Sequence, residues 1–385
     1  MMSFYKEESR DGEARTGKLS FPSDAGGTIE VETPCFMPVG TRASVKGLWQ
    51  EDLEEIGYRL ILGNTYHLYL RPGSSQIREL GGLGRFMSWS GALLTDSGGY
   101  QMFSLSDRMQ LDDDGVNFKS HLDGSEHRFT PESAIDIQTD LRSHIMMVLD
   151  DCPPADADES RIQASLVRTH SWARRSIDHH NKLCEDGRID PNRSRMFGIV
   201  QGGTSQSARA QSLQAIGELP FSGVAVGGLS VGESRESFYD VLNFLGGRMD
   251  QGRPRYLMGV GTVPDFIEAV RNGFDMFDCV LPTRNARNGQ GLTSQGKLRI
   301  RNQSYKNDET PLDPACKCRV CRRYSRAYIR HLFMSDEMLG PQLMSFHNLA
   351  FFYTFMEEMR GSIRAGRFAT FYLQWKEWDK NGPDE

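Results

Sequence analysis

Two stretches decide how this chain is read: Met196-Phe197-Gly198-Ile199-Val200-Gln201-Gly202-Gly203 and Gly223-Val224-Ala225-Val226-Gly227-Gly228. Each is a continuous apolar run that stops at a polar residue or a glycine pair. A strand with one wet face alternates polar and apolar residues. A run that does not alternate is buried on both faces, as in a parallel sheet covered by helices. Between the two, residues 204–216 carry a helical pattern, as a parallel crossover requires.

The same unit recurs outward in both directions. Further runs lie at 35–39 before Gly40, 60–62 before Gly63-Asn64-Thr65, 92–95 before Asp96 and 145–149 before Asp150. Two more lie at 256–258 before Gly259 and 276–277 before Asp278. Helical patterns separate them. Residues 160–183 place Ile162, Leu166, Val167, Trp172 and Ala173 on or near one face, and 264–272 form a shorter example. Thr130-Pro131 reads as an N-cap with proline in the first turn. Eight strand–helix units predict an α/β fold, the (β/α)8 or TIM barrel. Residues 14–21 and 28–32 predict an N-terminal antiparallel hairpin around the turn 23–27. The long interval 96–145 predicts an inserted hairpin, 116–122 with 127–129 around Asp123-Gly124.

Composition narrows the function classes. The chain has 385 residues, 45 Lys+Arg and 51 Asp+Glu, a formal charge of −6. That average counts against a protein that coats nucleic acid or an anionic membrane. A hydrophobic fraction of 38% excludes a disordered chain. No apolar run approaches the roughly 18 residues of a membrane span. The start, Met1-Met2-Ser3-Phe4-Tyr5-Lys6-Glu7-Glu8, lacks a signal-peptide core. The expectation is a cytoplasmic protein without a membrane partner. Seven cysteines, at 35, 152, 184, 279, 316, 318 and 321, are too few and too uneven for a disulfide framework. The charge is also uneven. Residues 284–330 hold 12 Lys/Arg against 3 acids, a net of +9, which leaves −15 on the other 338 residues.

In such a barrel the C-terminal strand ends face the active site. Three of the runs end in carboxylates: Asp96, Asp150 and Asp278. A single Asp after a strand is commonly just a helix cap. Three on separate strands at one mouth point to acid/base or nucleophilic work at an acetal-like carbon, or to recognition of a purine's N–H edge. Gln201 adds a donor and an acceptor. The glycine pairs at 98–99, 202–203 and 227–228 allow close approach to a flat ligand, with Tyr100 and Met258 placed to sandwich it. Gly227-Gly228-Leu229-Ser230-Val231-Gly232 lacks the spacing of a dinucleotide fingerprint.

Cys316-Lys317-Cys318-Arg319-Val320-Cys321, with His347 after 25 further residues, offers three thiolates and an imidazole. That set predicts a closed tetrahedral Zn²⁺ site with a structural role. His331 competes as the fourth ligand. The basic flank Arg319, Arg322, Arg323, Arg326 and Arg330 suits phosphates.

Taken together, these residues resemble the tRNA-guanine transglycosylases. The resemblance is carried by Thr95-Asp96-Ser97-Gly98-Gly99-Tyr100-Gln101, by G-V-A-V-G-G-L-S-V-G-E at 223–233 and by Y-L-M-G-V-G at 256–261. D-M-F-D-C-V-L-P-T-R-N-A-R-N-G-Q at 275–290 and the C-x-C-x2-C…H cluster complete it. It runs from residue 17 to about residue 368. Gly-Gly-Tyr after Asp96-Ser97 fits the bacterial branch. Gln201-Gly202-Gly203 and Asp150-Asp151-Cys152-Pro153-Pro154 depart from the usual bacterial pattern.

The resemblance implies a barrel with the zinc subdomain between the last strand and the last helix. The division it suggests is a hairpin or lid at 1–33, the barrel at 34–283, a basic zinc subdomain at 284–347 and closing helices at 348–385. It implies replacement of guanine at the tRNA wobble position by a 7-deazaguanine, with Asp278 as nucleophile and Asp96 as general acid/base. Asp150, Gln201, Ser97 and the backbone of Gly228 and Leu229 would bind the base, and Tyr100 and Met258 would stack on it. Cys152 and Val231, which set the pocket size, keep the bacterial type and favour 7-aminomethyl-7-deazaguanine (preQ1) over queuine. Arg284 and Arg287 would hold neighbouring nucleotides of the anticodon stem-loop. Arg319, Arg322, Arg323 and Arg326 would meet the stem, and a homodimer would extend that surface. A retaining glycosidase and a non-catalytic tRNA-binding homologue are the competing readings.

Overall fold

The computed structural model describes residues 3–24, 26–105 and 109–380. Ala25, in the expected N-terminal turn, lies outside the described residues. The chain opens with an antiparallel sheet: β1 (Tyr5–Asp11), β2 (Ala14–Pro22) and β3 (Thr28–Thr33). The expected hairpin is β2–β3. β1 is an addition: its sequence, YKEESRD, is charged because it is an edge strand with only Tyr5 buried.

The barrel begins with β4 (Cys35–Met37), β5 (Leu60–Gly63) and β6 (Ala92–Thr95). After β6 come β7 (Met109–Leu111), β8 (Val116–Lys119) and β9 (Glu126–Phe129). This is a three-stranded antiparallel insertion where two strands were expected. The barrel resumes with β10 (Ile145–Met147), β11 (Arg195–Val200), β12 (Gly223–Val226), β13 (Arg255–Leu257) and β14 (Met276–Asp278). All eight apolar runs are therefore strands. They pair in parallel in the order β4-β14-β13-β12-β11-β10-β6-β5, and a parallel bridge between Val39 and Leu62 closes the ring.

The helices start where local chemistry allows. The Thr130 hydroxyl accepts from the Ser133 N–H at 3.2 Å, with Pro131 in the first turn of the Pro131–Asp140 helix. Asp158 caps the 27-residue Glu159–Glu185 helix through the Arg161 N–H at 2.7 Å. That helix buries Leu166, Trp172, Ala173 and Ile177, whereas Val167 is 67% exposed. One residue is 100° of helix, so Val167 turns away from the face its neighbour shares.

The N-terminal sheet seals the end of the barrel opposite the carboxylates. Fully buried Arg15 from β2 reaches Asp275, just before β14, with Nη2–Oδ2 at 2.6 Å and Nε–Oδ1 at 3.0 Å. The same guanidinium donates to the carbonyls of Gln251 and Arg253. Asp275 also accepts the Arg255 N–H at 2.7 Å. A buried pair with this many hydrogen bonds fixes a geometry, and removing one partner strands a charge at a cost of about 3–5 kcal/mol.

After β14, β15 (Gln290–Thr293) and β16 (Gly296–Arg299) form a hairpin, and the Arg326–Met334 helix follows. The long Leu339–Arg364 helix then returns to the barrel, with Phe352 stacked on Phe36 of β4 at 5.0 Å. It starts eight residues before His347.

Candidate active site

Asp96, Asp150 and Asp278 stand at the C-terminal ends of β6, β10 and β14, at one mouth, and each is held differently. Asp96 follows β6 and receives three donors. The Thr65 N–H meets Oδ1 at 2.8 Å, and Asn64 Nδ2 and Gln101 Nε2 meet Oδ2 at 2.5 and 2.9 Å. Burial outweighs these donors and, with the nearby charge of Asp278, lifts its pKa from 3.8 to about 6.

Asp278 ends β14. Its Oδ1 accepts from the Tyr256 hydroxyl at 2.6 Å and the Gly259 N–H at 2.7 Å. No donor to its Oδ2 is seen among the described residues. Burial raises the pKa of Asp278, opposed by both donors. The Tyr256 hydroxyl, buried beside this carboxylate, is held well above its ordinary range and remains a donor.

Asp150 and Gln201 form a hydrogen-bonded pair at the same mouth. Gln201 Nε2 donates to Asp150 Oδ2 at 2.6 Å, so Gln201 Oε1 points the other way, buried and without a partner among the described residues. Burial moves the Asp150 pKa up to about 6. The pair presents acceptors to a ligand that has adjacent N–H donors. Glycine is needed here because the backbone crowds the pair. A Cβ on Gly228, at φ +66°, would lie 2.3 Å from Gln201 Oε1, and one on Gly99 would lie 3.1 Å from the Asp150 carbonyl. Ser97 is buried and accepts the Gly99 N–H at 3.3 Å. Leu229 is buried, Cys152, Val231 and Met258 are half-buried, and Tyr100 is 52% exposed on the Gly99–Leu105 helix.

Sequence reading missed the supports. Arg209, fully buried, ties β11 to β12 by donating to the carbonyls of Val200 at 2.8 Å, Gly203 at 2.8 Å and Gly228 at 3.3 Å. Glu233 accepts the N–H groups of Ser230 and Val231 at 2.5 and 3.0 Å. Asn64, Gln101 and Tyr256 were visible in the motifs, but nothing in their spacing tied them to a particular carboxylate.

The cysteine cluster assembles as expected. The donor atoms of Cys316, Cys318, Cys321 and His347 lie within 4.8 Å of one another and could hold a metal ion. His347 Nδ1 lies 3.6 Å from Cys318 Sγ and 3.3 Å from Cys321 Sγ. Its Nε2 faces the Leu292 carbonyl at 2.8 Å, which puts the proton on Nε2 and leaves the Nδ1 lone pair for a metal. His331 is outside this group.

The arginines divide. Arg284, Arg322 and Arg323 are exposed. Arg287 Nη1 is buried without a partner among the described residues, and burial beside Arg284 lowers its pKa. Two of the expected tRNA-binding arginines have partners within the chain. Arg326 is bound to Asp308 at 3.1 Å and to the Leu312 carbonyl at 3.0 Å, so it holds the subdomain together. Arg319 pairs with Asp52 and Glu55 and lies 4.0 Å over the Phe346 ring. Both guanidinium groups are already neutralised by acids, one of them by acids outside the basic segment.

Among the described residues no helix is long and apolar enough to cross a membrane. The family model described as queuine tRNA-ribosyltransferase matches residues 10–380. A protein of that name from Leptospira biflexa is 50% identical over 378 residues, covering 98% of this chain and 99% of its own. Proteins of the same name from Solidesulfovibrio magneticus and Halothermothrix orenii are 52% and 51% identical, over 94% and 91% of this chain and 94% and 90% of their own. With the carboxylate mouth, the glycine-backed Asp150–Gln201 pair and the Cys3His cluster in place, the chain belongs to the queuine tRNA-ribosyltransferase family.

Proposed function

We propose that this protein exchanges guanine at the wobble position of a tRNA anticodon for preQ1, through a covalent intermediate on Asp278. The observation that carries the reading is the unequal dressing of two carboxylates. Asp278 has one oxygen held by Tyr256 and Gly259 and the other free. Asp96 is fully engaged and has a pKa of about 6. The first arrangement suits a nucleophile and the second a proton carrier working near neutrality.

The steps balance. Asp278 Oδ2 attacks C1′ of the target ribose, the bond from C1′ to the guanine nitrogen breaks, and its electron pair leaves on the base. Asp96 supplies the proton that makes neutral guanine. The incoming 7-deazaguanine then gives its ring N–H proton to Asp96, its nitrogen attacks C1′, and the Asp278 ester bond breaks. Two inversions retain the configuration. The target nucleotide must be turned out of the anticodon loop to enter. Asp150, Gln201, Ser97 and the backbone at Gly228 and Leu229 read its edge, and Tyr100 and Met258 cover its faces. Cys152 and Val231 bound a pocket suited to the small aminomethyl group of preQ1.

Arg284 and Arg287, whose Nη1 has no partner among the described residues, are offered to flanking nucleotides, with Arg322 and Arg323 on the outer path. The Cys3His set suits a structural Zn²⁺: soft thiolates, one oriented imidazole and no open position. A cytoplasmic homodimer completes the reading. Exposed Tyr328, Met334, Met338 and Leu339, on and after the Arg326–Met334 helix, supply apolar surface for a second copy.

The test is a base-exchange assay on one anticodon stem-loop with labelled guanine, then with preQ1 and queuine side by side. Incorporation of guanine and preQ1, with queuine poor, is expected. Asp278→Asn should abolish exchange and the covalent RNA adduct while RNA binding stays within a few-fold. An adduct in that variant reassigns the nucleophile, and no exchange by the wild type leaves a tRNA-binding homologue.

A further inference from the structure

Asp151 follows the recognition carboxylate and takes no part in the reaction above, yet it is only 3% exposed and every polar group it has is engaged. Arg161 binds its carboxylate through both terminal nitrogens, Nη1–Oδ2 at 2.8 Å and Nη2–Oδ1 at 2.5 Å. Arg168 adds a third donor on Oδ2. Its N–H donates to Thr169 Oγ1 at 3.1 Å, and its carbonyl accepts from Ser165 Oγ at 2.6 Å. Residues 161, 165, 168 and 169 are spaced by four, three and one along the Glu159–Glu185 helix, so a single helix face grips Asp151 at all its polar groups.

Asp150 on one side of this grip has one side-chain partner, Gln201. One hydrogen bond leaves a carboxylate free to swing, so the backbone beneath it sets its direction. On the other side lies half-buried Cys152, assigned to the pocket wall in the proposed function.

We propose that Asp151 is a positioning residue for base recognition: held by that helix face, it sets the angle at which Asp150 and Cys152 meet a purine-type base bearing adjacent N–H donors. The inference rests on the reading of Asp150 and Gln201 as the base-recognition pair. Displacements of an ångström matter in such a site. The grip is long-range in sequence, joining a strand end to the first three turns of the next helix, so it acts on the pocket without touching the ligand.

The test uses the full-length, zinc-loaded protein and compares Asp151→Asn, Asp151→Glu and Arg161→Gln with wild type. An asparagine turns an NH2 toward two guanidinium groups and accepts on one atom only. Asp151→Asn should raise KM for guanine at least tenfold, with the RNA Kd within twofold of wild type. Asp151→Glu, which keeps both acceptors, should recover most of the loss. Arg161→Gln removes a half-exposed partner and tolerates folding best, and it should raise the same KM about threefold. Unchanged KM in folded Asp151→Asn and Arg161→Gln overturns the proposal. So does a parallel rise in RNA Kd, which marks general loosening. If wild type shows no exchange, the reaction is wrong and the clamp is read instead by calorimetric titration with free guanine. Weaker binding in Asp151→Asn then supports it, and equal binding overturns it.

Discussion

Replacing Asp96 by Asn should make the protein more stable above neutral pH relative to wild type, and by an amount that depends on pH. The folded pKa of Asp96 is about 6 against an ordinary 3.8. The folded state therefore holds the proton more tightly than the unfolded chain does, and stability falls as pH rises from the unfolded pKa through the folded one. At about 1.4 kcal/mol per pKa unit, the full cost of ionising the folded carboxyl is about 3 kcal/mol by pH 8, of which about 1.6 kcal/mol has accrued by pH 5. Asparagine does not titrate. It keeps an acceptor for the Thr65 N–H but turns an NH2 toward Asn64 and Gln101, a pH-independent cost of about 1–2 kcal/mol. The difference between variant and wild type should thus shift in favour of the variant by about 1.4 kcal/mol between pH 5 and pH 8. Urea unfolding midpoints and slopes at pH 5, 6, 7 and 8 measure it. Base exchange should vanish in the same variant. A difference that stays flat across that range would falsify the raised pKa, and with it the placing of Asp96 as a proton carrier near neutrality.

Two further predictions follow from the same geometry. In Tyr256→Phe, Asp278 loses a donor that lowers its pKa, so the acidic limb of kcat/KM should move to higher pH; an unchanged limb means that Tyr256 does not control the protonation of Asp278. Metal analysis should find about one Zn²⁺ per chain, lost in His347→Ala together with thermal stability and protease resistance of residues 284–347; a metal-free wild type with normal resistance removes zinc from the account.

The barrel was legible because its strands are buried on both faces, and eight unbroken apolar runs ending in Gly, Asp or Gln stand out against amphipathic helices. β1 was not legible for the opposite reason: as an edge strand with one buried side chain, YKEESRD looks like a charged tail. The metal cluster was readable because three cysteines within six residues are local. His347 needed the tertiary fold, since the Leu339–Arg364 helix and the β15–β16 hairpin bring it to the thiols and turn its ring. The basic segment was readable as a charge sum but not residue by residue. Arg319 and Arg326 count as cations in sequence, and their acids are supplied by folding.

The sequence by itself determined the class of fold, the three carboxylates and the three cysteine ligands, because burial on both faces, strand-end position and short cysteine spacing are local properties of a chain. Only the tertiary structure decided what each carboxylate is able to do. The donors to Asp278 and Asp96, and the Asp150 carboxylate that takes the Gln201 amide and leaves its carbonyl oxygen empty, are brought together from several strand ends and the Gly99–Leu105 helix. The desolvation that moves their pKa values exists only once the mouth has closed around them.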